Sequence, residues 1–111
     1  MRAGGVDAVV AANDLIGIGA LHAADDLGIG VPDEVAITGM DDTELARVTR
    51  PGLTSVGLGA AERGRGAAEL LVARLADPDR PAHTVTVAPS LRIRGSSRLR
   101  QSDPVRETAA S

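Results

Sequence analysis

Two short apolar runs, residues 6–11 and 35–38, bracket a segment punctuated as a helix, and this arrangement restricts the fold more than any other feature of the chain. The first run has the length and valine content of a buried strand. Asn13 and Asp14 end it, and either can cap a helix, because a short side-chain oxygen accepts a free N–H of the first turn. Ile16, Ala20, Ala23 and Leu27 then form an apolar stripe at helical spacing. Gly28 stands where a left-handed C-cap is expected, and Pro32 follows shortly after. The second run leads into Gly39-Met40-Asp41-Asp42. A helix between two buried strands implies parallel pairing and a right-handed crossover. The expected fold class is therefore α/β, built on a parallel βαβ core.

Asn13 and Asp41 each fall just past the carboxyl end of a strand. In open α/β sheets ligands occupy the crevice at those ends. An amide and a carboxylate twenty-eight positions apart in sequence thus face one crevice. A carboxylate accepts two hydroxyl hydrogen bonds, and an amide both donates and accepts, a pair suited to a polyol or sugar. Spacing alone leaves a plainer reading open, in which Asn13 is only a cap and Asp41 only a turn residue.

The stretch AANDLIGIGALHAADDLGIGVPDEVAITGMDD, followed by RPGLTSV and later by PSLRIRGSS, resembles the C-terminal part of lactose-repressor-type (LacI/GalR) transcription regulators. The resemblance runs from about Asp7 to Ser97, with these blocks in the family's order and spacing. It implies a partial periplasmic-binding-protein-like (type I) domain over residues 6–97, with strands and a helix crossing toward a second, mostly missing lobe. It implies that Asn13 and Asp41 bind a small-molecule effector, a sugar or related polyol. It also implies a homodimer, formed partly through the first helix, and DNA contact only through an N-terminal helix-turn-helix that this sequence does not contain. The chain then reads as a C-terminal portion of such a regulator, with the remaining effector contacts on the other lobe. Three positions depart from the family pattern: Met40 replaces an aromatic, Leu58 a polar glutamine-like residue, and Ala60 a bulky apolar one. They imply a pocket unlike the familiar galactoside one.

Composition narrows the classes further. At 111 residues the chain holds at most one domain. Aromatics and cysteines are absent, so the core must come from Val, Leu, Ile and Ala, with no disulfide or thiol chemistry. Every basic residue is Arg, and the net charge of -3 gives no electrostatic footprint for nucleic acid. No apolar run approaches the length of a membrane span, and residues 1–5 lack the apolar centre of a signal peptide, so a cytoplasmic protein is expected.

Gly17 and Gly19 lie inside the expected first helix, where each costs up to about 1 kcal/mol relative to Ala. They point to close approach by another element. Leu15, Ile18 and Leu21 add a second apolar face, open either to a subunit interface or to cover by the missing lobe. His22, beside that face, reads as a packed or surface residue. Asp25, Asp26, Asp33 and Glu34 read as solvated charge, and Asp42 as the cap of a short helical turn over residues 43–48. Residues 53–56 read as a strand and residues 61–76 as an amphipathic helix with Gly64, Ala68, Leu71 and Leu75 in line. That stripe is expected to be exposed and to favour self-association. Residues 83–87 and 91–94 alternate as strands do, the latter with Leu91 and Ile93 inward and Arg92 and Arg94 outward. Pro89 between them favours an edge position or a turn. Arg92, Arg94, Arg98 and Arg100 form a basic cluster, read either as an anion contact or, more simply, as charge protecting an edge strand. Residues 98–111 are polar, rich in small residues and expected to be a disordered tail.

No catalytic constellation is present: Ser55, His83 and Ser90 sit in no nucleophile motif, and Gly17-Ile18-Gly19 lies inside a helix without the third glycine of a dinucleotide site. No enzyme activity, cofactor or metal is expected, since Asp41-Asp42 lacks further oxygen ligands at suitable spacing. The expected function is the effector-binding and dimerisation portion of a LacI/GalR-type regulator. A fragment of a periplasmic-type sugar-binding transport protein and a ligand-free dimerisation module are the alternatives.

Overall fold

The computed structural model describes residues 5–98. In chain order the elements are β1 (Ala8–Val10), α1 (Asp14–Asp26), β2 (Ala36–Met40), α2 (Glu44–Val48), β3 (Thr54–Gly57), α3 (Ala60–Ala76) and β4 (Ser90–Arg92). The strands form one sheet in the order β1-β2-β3-β4. β1 and β2 are parallel, with Ala8 opposite Ala36 and Val10 opposite Thr38, so α1 is the crossover of a βαβ unit as the sequence implies. β3 continues the sheet in parallel with β2, and β4 closes it antiparallel to β3.

Both ends of α1 follow from local chemistry. At its start Asn13 is extended and its Oδ1 accepts from the Ile16 amide at 2.9 Å. At its end Gly28 takes φ +67, the Ile29 amide reaches the Ala24 carbonyl, and the Gly28 amide reaches that of Asp25. These are the two bonds of a Schellman cap, and they need a residue free to enter the left-handed region.

The face that α1 buries differs from the expected stripe. Asp14, Gly17, Leu21 and Ala24 point inward, whereas Ile16 is 55% and Leu27 71% exposed. Closeness selects the inward row more than apolarity does. A methyl on Gly17 would lie 2.9 Å from Leu53 Cδ2, so the missing side chain lets the helix settle on the core. Gly19 has open space around it and plays no such part. The core gathers Leu21, Ala24, Val35, Ile37, Ala46 and Leu53, with Ile18, Ile29 and Val31 packed around them.

Three further expectations are corrected. β1 is not buried: among the described residues it is an edge strand, and Val10 is 83% exposed. Residues 83–87 form no strand. Their alternation instead sets Val85 and Val87 against α3, in a cleft lined with Ala67 and Leu70. β4 is an edge strand as expected, but its end faces the other way. Leu91 and Ile93 are exposed and Arg94 is turned in, its guanidinium donating to the Leu53 carbonyl at 2.8 Å. A fixed hydrogen-bonding and ionic site for Arg94 outweighs the partial burial that two aliphatic side chains would gain on this surface. The stripe of α3 is open to solvent, with Leu71 and Leu75 exposed and no residue of the helix buried. The proposed tail, and Arg100 with it, lies outside the described residues beyond Arg98.

Ser96 fastens the end of the described chain to the sheet. It is fully buried. Its carbonyl accepts from the Ile37 amide, its hydroxyl donates to the Ile37 carbonyl, and the same hydroxyl accepts from the Thr54 amide at 2.8 Å. Ser96→Ala strands a buried amide and a buried carbonyl between β2 and β3. It is expected to cost about 1–3 kcal/mol, read as a lower urea midpoint at unchanged slope.

Candidate functional site

Val10, the last residue of β1, is paired with Thr38 of β2, and Asn13 and Asp41 each stand three residues further on, Asp41 directly after the end of β2 at Met40. Both expected ligand residues therefore emerge from the carboxyl ends of adjacent parallel strands. Capping occupies Asn13 Oδ1, which fixes the orientation of the amide and leaves the Nδ2 donors directed elsewhere. Nδ2 has no partner among the described residues. Cap and donor are thus compatible roles of one side chain. Asp41 is exposed, and among the described residues its carboxylate takes no hydrogen bond or ion pair. One residue offers donors, the other acceptors.

The turn that carries Asp41 is unusual. Asp41 has φ 101 and Asp42 φ 49. Non-glycine residues enter this region rarely, at about 1–3 kcal/mol when strained, and only where surrounding contacts impose it. The contacts are visible. The Asp41 amide donates to the Val56 carbonyl at 2.8 Å, and the Asp42 amide to Ser55 Oγ at 2.9 Å. The Thr43 amide and hydroxyl both donate to Asp14 Oδ2, at 2.7 and 2.8 Å. Ser55 Oγ in turn donates to Asp14 Oδ1 at 2.6 Å.

Asp14 is therefore the centre of the site's support. It is 1% exposed, and both oxygens accept from donors on β3 and at the start of α2. Gly39 of β2 lies against it: a methyl there would stand 2.5 Å from Asp14 Oδ1. Local sequence chemistry marks Asp14 only as an alternative cap. The signal for more was an Asn-Asp pair ahead of a helix whose inward row begins with the aspartate and continues with glycine.

Asp42 does not cap α2. Thr43 holds the N-cap position, and Asp42 Oδ1 accepts from Arg94 Nη2, with Arg92 Nε 3.9 Å from its other oxygen. The basic cluster thus serves, in part, to neutralise this carboxylate. Among the described residues no group of His, Cys, Asp and Glu is placed to hold a metal ion, and no helix is long and apolar enough to cross a membrane.

Comparison with known proteins places this geometry in a family. The periplasmic binding protein-like domain profile matches residues 3–97. The transcriptional regulator MalR of Streptomyces coelicolor is 36% identical over 90 residues, which are 81% of this chain and 26% of that protein. The ribose operon repressor of Haemophilus influenzae is 35% identical over 89 residues, 80% of this chain and 27% of the repressor. The chain thus spans about a quarter of the length of these relatives. Among solved structures, a complex of the regulator CelR with cellobiose superposes with a TM-score of 0.79 at 38% identity, covering 86% of this chain and 29% of that one. A LacI-type transcription regulator from Bifidobacterium animalis gives 0.78 at 32% identity, covering 84% of this chain and 33% of the other. The chain belongs to the periplasmic binding protein-like domain family, in the form carried by LacI/GalR-type transcription regulators.

Proposed function

We propose that this chain supplies one wall of the effector site of a LacI/GalR-type regulator, with Asn13 Nδ2 donating to, and the Asp41 carboxylate accepting from, the hydroxyls of a sugar or related polyol. The observation that carries the reading is the pairing of a donor and an acceptor, both without partners among the described residues, past the ends of neighbouring parallel strands. One similar solved structure is a complex of CelR with cellobiose, and the Haemophilus relative is named for the ribose operon, which supports a carbohydrate in the same crevice. The role is binding rather than catalysis, in the cytoplasm, and DNA is reached through another part of the regulator. In that regulator the effector acts by binding one arrangement of the two lobes better than the other. Homodimerisation belongs to the same proposal. Of the second apolar face read from the sequence, Ile18 and Leu21 pack into the core and only Leu15 stays exposed; with the neighbouring Ile16 it leaves an apolar spot on α1 that supports association.

One wall binds weakly. Titration of the chain with a saccharide panel that includes cellobiose and ribose is expected to give no saturable heat below about 1 mM, a free energy of about -4 kcal/mol or less in magnitude. Amide NMR at higher sugar concentration is expected to show saturable shifts centred on Asn13 and Asp41, lost in Asp41→Ala. Micromolar binding by this chain, or shifts that survive Asp41→Ala, would refute the assignment.

A further inference from the structure

β3 and β4 leave the sheet side by side, their last paired residues being Gly57 and Ser90. Beyond them lies α3, which buries no residue. The body of the sheet and the α3 segment are therefore joined at a two-stranded connection. Asp42 sits directly on it. A Cβ at Gly57 would lie 3.4 Å from Asp42 Cβ and 3.4 Å from Ser90 Oγ. The Asp42 carboxylate is held by Arg94, whose other nitrogen donates to the Leu53 carbonyl just before β3, while Arg92 of β4 flanks the second oxygen. Both members of the Asp42–Arg94 pair are mostly buried, at 12% and 17% exposure, so the contact is less screened than a surface ion pair. The turn carrying Asp41 is thus tied to the strand before the connection, to the strand after it, and through the Asp41 amide to Val56 within it.

We propose that Asp42 and Arg94 form a latch that makes the conformation of the Asp41 turn and the setting of the Gly57–Ser90 connection one equilibrium. Asp42 is a positioning residue: it presents its neighbour Asp41 and touches the joint, and it does not itself contact the effector. A ligand that fixes Asp41 would then stiffen the connection to α3. This last step rests on the effector reading above; the latch itself does not.

Hydrogen exchange on the whole chain without ligand tests the latch. In Asp42→Ala, peptides covering 41–43, 57–60 and 88–92 are expected to exchange about tenfold faster together, while those over 17–24 and 35–37 stay within about twofold of wild type. Asp42→Asn keeps an acceptor oxygen for Arg94 and the side-chain shape, and should show the same pattern at about threefold. That variant decides the matter if the alanine variant does not fold. A rise confined to 41–43, a uniform rise along the chain, or no rise in either variant would overturn the latch. Ribose or cellobiose added to wild type is expected to slow exchange at 57–60 and to leave Asp42→Ala unaffected there. Failure of any sugar to act on wild type removes the effector reading, while the ligand-free pattern still decides the latch.

Discussion

Asp14→Ala is expected to lower the urea midpoint of the chain by about 2 M, a loss of about 3–5 kcal/mol at the slopes usual for small domains. The carboxylate accepts three hydrogen bonds: one from buried Ser55 and two from Thr43. Bonds to a charged acceptor contribute more than neutral ones, about 1.5–3 kcal/mol each. Thr43 is exposed and can return to water, so its two bonds count at the lower end of that range. Ser55 is fully buried and cannot. Its hydroxyl would lose its acceptor while still accepting from the Asp42 amide. Total stabilities of about 5–15 kcal/mol make such a loss a large fraction of the whole. Asp14→Asn separates charge from shape. The amide oxygen can still face the Thr43 donors and the amide nitrogen can donate to Ser55 Oγ, so only the serine proton is stranded. About 1–2 kcal/mol is expected there. A midpoint within about 0.5 M of wild type for Asp14→Ala would show that Asp14 does not hold the site together.

The contrast between Asp14 and Asn13 marks what the sequence could reveal. Strand, cap, helix, Schellman glycine and second strand are each written in local residue chemistry, so the βαβ unit and the emergence of Asn13 and Asp41 at one end of it were readable. Which row of α1 faces inward was not, because that choice was made by Leu53, far along the chain, fitting against Gly17. The inward turn of Arg94 is hidden in the sequence for a related reason. Alternation in residues 91–94 ranks aliphatics inward by default, but a pre-existing carboxylate on Asp42 and a free carbonyl on Leu53 redirect the guanidinium. Residues 83–87 keep their apolar alternation without a strand partner, Val85 and Val87 lining an open cleft beside α3. Long-range polar contacts have no period, and they hold the candidate site in shape.

Gly39→Ala carries the same dependence into the site itself. The added methyl would stand 2.5 Å from Asp14 Oδ1, 3.0 Å from Leu53 Cδ2 and 3.1 Å from Asp14 Cα. The oxygen cannot swing aside without releasing Ser55, and the Cα belongs to the helix backbone, so relief requires the first turn of α1 to withdraw from β2. Overpacking of this kind costs about 1–3 kcal/mol, and weakening the Asp14 bonds adds to it, for about 2–4 kcal/mol in all. The movement would carry Asn13 away from Asp41, because Asn13 caps that same turn. Gly39→Ala should therefore abolish the sugar-dependent NMR shifts even under conditions where the chain remains folded. Gly19→Ala is the control on the same helix. Its methyl meets nothing within 4 Å, so the substitution is expected to raise the midpoint slightly, by up to about 1 kcal/mol of stability. If Gly39→Ala unfolded at the wild-type urea concentration and kept the sugar response, the packing of β2 against Asp14 would have no part in setting the distance between donor and acceptor. The donor–acceptor crevice would then have to be positioned by the sheet alone.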